Sequence, residues 1–559
     1  MALEKIANKI VKTDVLVVGG GIAGCPAAAK AAEHGLKVTL VDKSKVDRSG
    51  SAAIGIDHYN GAYPRGMTPQ QWQELEKNLG PMAYYGGGPY SDPSRVYRMY
   101  ANGLWAIEEL EKLGVTMRWD GELRPIHFSY GVPCIRVHWT NVKPEMADGV
   151  RKRGVNVLER TMIINLLTSK GAVVGATAID TRDGGFIVIK AKATIIATAA
   201  CSRVYDPETP QPWKYKYRYH WCPASVSGDG WAMAYRAGAE LANMEHAGVG
   251  YRMRDDLVLS QGNNGNEGIS SKRMTWDGEE IVRGNAAQQA ELQRTGRNDP
   301  VYNNLGNIPD DFHKRIEVAY VDERLVSFKI AEDRGFNPRT HWYEIMETRP
   351  NQLHVPPGIW SDANFKTSVK GLYAIGDCVA GCHDVANAAT SGFLVGDSVG
   401  SFVKSAGEVT IDESQVESQK EVVDSLKAVK DGTEPVELES AIRYACTRYI
   451  GVSKSEGKMR EGLRRLASLR REFLNKLKAD NPHYLMRAME VRNIIDIAEI
   501  HLRASLERKE TRGMHIRLDY PEQDPSLNKM LLFQRLENGE MVIQMKKQPE
   551  LDMSLKEDR

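Results

Sequence analysis

Gly19, Gly21 and Gly24, followed further on by Asp42, are the first residues of this chain whose types and spacing could do chemistry. The glycines follow the pattern G-x-G-x-x-G where the apolar run Val15–Val18 gives way to the alanine-rich stretch GCPAAAKAAE. An unbroken apolar run is what a strand buried on both faces of a parallel sheet requires. Glycine at those three places permits a tight turn, close approach of a pyrophosphate and close packing of the helix on the strand. The phosphate then sits on the helix N-terminus, where free N–H groups and the helix dipole favour an anion. Asp42 ends the next apolar run, VTLV, about 20 residues on, where an acid binds ribose hydroxyls. The pattern predicts a dinucleotide and leaves NAD and FAD both open. A glycine turn in an ordinary α/β unit is the competing reading; a strand, a helix and an acid each in its place argue against it.

A second candidate is His354, set in NQLHVPPGIW between Leu353 and Val355 and stiffened by Pro356 and Pro357, shortly before KGLYAIGDC. Judged by its neighbours alone, it reads as a core residue with satisfied ring nitrogens.

The elements that must hold these residues follow from the patterning. At 559 residues the chain has room for several domains and a large core. Its 74 basic and 73 acidic residues nearly cancel, so no global field draws it to nucleic acid or to an anionic membrane. No apolar stretch approaches the ~20 residues of a membrane helix, and MALEKIANKIVKTD has neither the charge pattern nor the apolar run of a signal peptide. Seven cysteines, Cys25, Cys134, Cys201, Cys222, Cys378, Cys382 and Cys446, form no CxxC pair. They predict neither a zinc site nor an iron–sulfur ligand set, and suggest reduced thiols in a cytoplasmic protein. The fold class expected is α/β: a Rossmann-like dinucleotide domain with an inserted α+β cap and a C-terminal helical bundle. Residues 1–244 form the first part of the dinucleotide domain, with a β-meander from about 150 to 200; 245–350 form the loop-rich cap. Residues 351–405 form the second part, 406–436 a solvated linker, 437–512 the helical domain and 513–559 a tail.

KATIIATAA (192–200) followed by GLYAIGDC (371–378) resembles the paired FAD signatures of flavoprotein dehydrogenases. The usual TGG is here Thr198-Ala199-Ala200, a mild variation. The order of FAD half, cap, FAD half and helical bundle, with RKETRGMHIRLDYPEQD near the end, resembles the succinate dehydrogenase/fumarate reductase flavoprotein superfamily. Within it, KVTLVDKSKVDRSGSAAIGIDHYN, SGDGWAMAYRAGAELANMEH, TSVKGLYAIGDC and HYLMRAMEVRNIIDIAEIHLRASLERKETR are most similar to the alpha (flavoprotein) subunits of dissimilatory adenylylsulfate reductases.

The resemblance implies FAD, held by Gly19, Gly21, Gly24, Asp42, Ser49, Gly50, Thr198, Gly376, Asp377 and Ser391, with Asp377 on the ribityl chain. It implies a catalytic set of Asn60, Trp221, Arg252 and His354 at the flavin face, Arg252 and His354 forming a cationic anion site. Thr140 joins that set as a departure: in HWTNVKP it follows His138 by two residues, where the sulfur enzymes carry a glutamate. No histidine follows Arg48 in the RSGS loop, where respiratory relatives tether FAD, and the expectation is noncovalent FAD. The cap phrase RGEGG and the phrase HYTMGG of fumarate reductases are missing. The implied partners are a small anionic substrate and a small ferredoxin-like iron–sulfur beta subunit, without nucleic acid or direct membrane insertion. Two rivals stay open: a fumarate reductase-like or acyl-thioester oxidoreductase, and a flavin electron-transfer subunit of a larger redox complex.

Overall fold

The structure is a computed structural model. It describes residues 3–54, 56–79, 90–118, 120–127, 133–139, 141–205, 223–246, 248–253, 272–282, 285–298, 300–304, 306, 333, 335, 340, 342–351, 357–382, 384–451 and 453–557.

Strand β1 (Lys9–Val18) is the axis of the molecule. It pairs in parallel with β2 (Val38–Val41) on one side and β9 (Phe186–Ile196) on the other. Val15–Val18 and all of β2 are buried, as the continuous apolar runs demand. β6 (Asn156–Leu158) extends the sheet beyond β2. On the far side β7 (Thr161–Ser169) and β8 (Ala172–Asp180) return antiparallel onto β9 as the expected meander. β16 (Leu372–Ala374), from far along the chain, adds in parallel to β9. Register fixes the consequence. Val18 lies opposite Val41 and Ile196, and Ile196 lies opposite Ala374. Gly19, Asp42, Thr198 and Asp377 therefore leave the sheet at one edge, the carboxyl ends of its parallel strands, where open α/β sheets bind ligands.

Helix α1 (Gly24–Glu33) follows β1 and packs on α4 (Val385–Ser405). The approach is close because both faces are small. Gly392, Gly396 and Gly400 stand one turn apart, and a Cβ at each would run into Ala23, Lys30 and His34. Helix α2 (Val142–Lys152) packs on the other side of α1.

The cap contributes a four-stranded antiparallel sheet, β11 (Gly248–Met253), β14 (Trp342–Asn351), β13 (Val301–Asn304) and β12 (Lys272–Thr275). A smaller sheet joins β3 (Ile56–Asn60), β5 (Pro133–Trp139) and β4 (Arg124–His127). Residues 406–436, expected as a solvated linker, contain helix α5 (Glu413–Lys427), which buries Val416, Val423 and Leu426. The helical region is α6 (Pro435–Ile450), α7 (Glu456–Phe473) and α8 (Pro482–Glu507). Residues 513–559, expected as a tail, supply the hairpin β19 (Met530–Glu537) and β20 (Glu540–Lys547). The hairpin joins β10 (Leu241–Ala242) and β15 (Gly358–Ile359) in one sheet.

Candidate active site

The cofactor cradle begins at the glycine turn. Gly19 has φ +104°, a conformation that side chains avoid, and a Cβ there would overlap the Ala197 carbonyl. A Cβ on Gly24 would overlap the Gly19 carbonyl, so helix and strand could not meet as they do. Gly21 faces open space, with Gly50 close above its Cα. Asp42 is 9 % exposed. Its Oδ2 accepts from the Gly20 amide at 2.7 Å and its Oδ1 from the Ser44 amide at 2.7 Å. These bonds aim the carboxylate and leave lone pairs for ribose hydroxyls. Ser49 Oγ donates to the Gly20 carbonyl at 3.1 Å. Lys43, one residue after Asp42, turns the other way and donates to Asp229 Oδ2 and Glu490 Oε1, each at 2.7 Å. Burial works against its charge; Asp229 and Glu490 more than restore it, and the ammonium pKa is raised. Arg203 extends this network to Glu490 at 2.6 Å and Glu439 at 2.9 Å, binding the bundle to the sheet edge.

The other end of the cradle is built differently. Gly376 has φ +65° and packs on Ala23, which sets Asp377 beside the glycine turn. Ser391 Oγ accepts from the Gly376 amide at 3.1 Å and donates to the Ala388 carbonyl at 2.9 Å, so this hydroxyl holds the signature turn in place. Burial, with the nearby Asp384 carboxylate, pushes the Asp377 carboxyl up to about 7. Its Oδ1 is buried and without a hydrogen-bond partner among the described residues, as is Thr198 Oγ1. Asp384 caps α4, its Oδ1 accepting from the Ala386 and Asn387 amides at 2.8 and 3.1 Å. Its other oxygen accepts from Asn60 Nδ2 at 3.3 Å. Tyr59, beside Asn60, shares a 3.0 Å hydrogen bond with Thr390 of the same helix. Asp384 does this at φ +83°, ψ 167°, a region left almost entirely to glycine. Ala199 sits at φ +58°. The change from glycine to alanine in the TGG signature therefore leaves a left-handed alanine, which costs about 1 kcal/mol or more, rather than a mild variation.

These features fit a dinucleotide flavin. A turn open at Gly21 suits a pyrophosphate, and the buried, unpartnered acceptor at Asp377 suits ribityl hydroxyl donors. Residues 14–394 match the family model described as FAD binding domain, and residues 439–554 match that described as Fumarate reductase flavoprotein C-term. The chain belongs to this FAD-binding flavoprotein family. It binds FAD and is an FAD-dependent oxidoreductase. This flavoprotein is 25 % identical over 576 residues to a chain of the fumarate reductase (CoM/CoB) of Methanothermobacter marburgensis, spanning 94 % of this chain and 98 % of that one. Among solved structures it resembles adenosine-5-phosphosulfate reductase in complex with sulfite (covalent adduct), with TM-score 0.80, 24 % identity and coverage of 98 % and 97 %. It also resembles adenylylsulfate reductase from Archaeoglobus fulgidus, with TM-score 0.79, 24 % identity and the same coverage.

The structure brings together Gly19, Gly21, Gly24, Asp42, Ser49, Gly50, Thr198, Gly376, Asp377, Ser391 and Asn60 along one edge. The backbone of Arg252 lies in β11 opposite Met346 of β14, and its side chain lies outside the described residues. Thr140, Trp221 and His354 lie outside them altogether. Sequence reasoning missed Asp384 and Lys143. Asp384 announces itself only as an acid one residue before an alanine-rich helix. Lys143 is a lysine on the buried face of α2, a signal visible once that helix is recognised as amphipathic.

Proposed function

We propose that this flavoprotein exchanges two electrons between a small anionic substrate and an iron–sulfur partner protein, with adenylylsulfate, or sulfite plus AMP, as the substrate pair. The observation that carries the electron route is a single flavin site with no second redox site beside it: among the described residues no group of three or more His, Cys, Asp or Glu could hold a metal. Among the described residues, Cys25, Cys134, Cys201, Cys378, Cys382 and Cys446 are buried and scattered along the chain. Electrons leaving one at a time need a separate carrier. Bound FAD supplies the two-electron chemistry, and this chain's residues supply position and charge. Arg252 grips an oxyanion with its planar fork, and His354 donates a hydrogen bond or a proton at the flavin face. Asn60, fixed by Asp384, orients the same face.

The choice of sulfur rests on the phrases shared with adenylylsulfate reductase alpha subunits, from KVTLVDKSKVDRSGSAAIGIDHYN to HYLMRAMEVRNIIDIAEIHLRASLERKETR. A second reading, reduction of an activated carbon–carbon double bond such as that of fumarate, is favoured by the similarity to the fumarate reductase (CoM/CoB) chain. Thr140 in place of the acid is the feature that favours the other rival, a flavin electron-transfer subunit of a larger redox complex. Noncovalent attachment of FAD belongs to the proposal, since no histidine follows Arg48 in the RSGS loop. Among the described residues no helix is long and apolar enough to cross a membrane.

The test is an assay of the chain, with its partner restored, against adenylylsulfate, sulfite plus AMP, fumarate and succinate. Turnover of the sulfur pair is expected; turnover of fumarate or succinate alone moves the reading to the second class, and activity with none sinks both. Arg252→Ala and His354→Ala each leave FAD bound and lower turnover about 10²–10³-fold, the usual loss for a preorganised donor at developing negative charge. Unchanged turnover in both would remove the anion site.

A further inference from the structure

Lys143 sits beside the glycine turn with no carboxylate among its hydrogen-bond partners in the described residues. It is 1 % exposed. Its ammonium donates to the Gly20 carbonyl and lies 3.7 Å from Cys25 Sγ. Neither partner is an anion. Lys43, partly buried at the same edge, shows the ordinary arrangement, with two carboxylates at 2.7 Å. Holding an ammonium out of water without a paired counter-charge costs several kcal/mol, and a sequence keeps such a group where something anionic arrives.

Crowding on one oxygen points to what arrives. The Gly20 carbonyl receives Lys143 Nζ, Ser49 Oγ at 3.1 Å and Cys25 Sγ at 3.2 Å. That is three donors on an acceptor with two lone pairs. The next residue, Gly21, is the one whose missing side chain leaves open space, at the N-terminus of α1.

We infer that Lys143 is a phosphate-binding residue. Its ammonium, with the Ser49 hydroxyl, turns from the Gly20 carbonyl to the diphosphate of the bound dinucleotide and is its counter-charge. The flexible four-carbon stem permits the swing, and Cys25 Sγ still donates to the carbonyl left behind. The inference rests on FAD binding and adds a selection rule: the chain favours ligands carrying a diphosphate over those carrying only the nucleoside.

The experiment uses the full chain, stripped of flavin and reconstituted, as wild type, Lys143→Gln, Lys143→Met and Lys143→Arg. FAD binding is followed by quenching of flavin fluorescence; ADP and adenosine binding are measured by calorimetry. Glutamine keeps an N–H for the Gly20 carbonyl while removing the charge, which separates a prop for the turn from a phosphate ligand. Gln and Met weaken FAD and ADP about 10–100-fold and leave adenosine within about twofold, the loss typical of a hydrogen bond to a charged group. Arg recovers most of the affinity. Equal weakening of ADP and adenosine would overturn the inference in favour of a structural prop, and so would wild-type ADP affinity in Lys143→Gln. A chain that bound ADP through Lys143 but failed to bind FAD would fault the cofactor reading and leave the role of Lys143 standing.

Discussion

The two ends of the cofactor cradle are built by opposite rules. At the end we assign to the adenosine, Asp42, Gly20, Ser44 and Ser49 satisfy one another at 2.7–3.1 Å, and the positive φ values there fall on glycine. At the end we assign to the flavin, Asp377 and Thr198 carry buried oxygens without partners among the described residues, and left-handed backbone falls on Ala199 and Asp384. The first end is braced by these bonds, and what it lacks is a carboxylate beside the buried ammonium of Lys143 among the described residues. The second stores unsatisfied and strained groups beside the place where chemistry happens, as functional sites commonly do. Both ends hang from the same sheet edge, so the contrast reflects their tasks and not their location in the fold.

The harshest way to break this contrast is to damage the braced end. Gly24→Ala drives a methyl into the Gly19 carbonyl, and the expected outcome is a chain purified without flavin and with several kcal/mol less stability. Yellow protein with wild-type flavin content would show that the turn relaxes easily. Asp42→Ala is milder. It orphans the Gly20 and Ser44 amides and removes the ribose acceptor, for a loss of about 1–3 kcal/mol in FAD affinity, read by equilibrium dialysis.

How far the sequence foretells this divides along the same line. Gly19, Gly21, Gly24 and Asp42 are legible because a turn, a phosphate and a ribose each impose a residue type at a fixed spacing. The meander and β16 are legible from apolar runs. The flavin end is not, because its key features are conformational. Nothing in TAA reveals that Ala199 takes φ +58°, and nothing in CHDVANAAT reveals that Asp384 bends into a glycine region to hold both α4 and Asn60. The polar composition of residues 406–436 suggests a linker; three buried apolar residues on one face of α5 are enough to dock it. The C-terminal hairpin reads as a tail because its partner, β10, is only Leu241–Ala242, too short to show a strand pattern.

The smallest effect sharpens the strained end. Ala199→Gly removes the left-handed alanine, and the gain is offset in part by the extra freedom of glycine in the unfolded chain. Thermal or urea unfolding is expected to show about 0.5–1 kcal/mol of stabilisation. A loss of stability would mean that the alanine methyl contributes packing that outweighs its backbone cost.

Asp377 carries the difference between the two ends most directly. Its folded pKa, raised from the ordinary 3.8 to about 7, means that the flavin-free chain holds a proton there between those values that the unfolded chain does not. Its contribution to stability therefore falls as pH rises through that window. Ribityl hydroxyls donating to the carboxylate favour its charged form, so FAD binding expels the proton, and affinity rises with pH up to about 7 and then levels off. At the adenosine end the Asp42 carboxylate already accepts from the Gly20 and Ser44 amides. The deciding measurement is the pair of dissociation constants for FAD and for ADP, taken side by side from pH 5 to 8 on wild type and Asp377→Asn. FAD affinity is expected to climb with pH in the wild type and to stay flat in Asp377→Asn, with ADP affinity flat in both. FAD affinity that falls with pH, or FAD and ADP profiles that run parallel, would contradict the assignment of Asp377 to the flavin end.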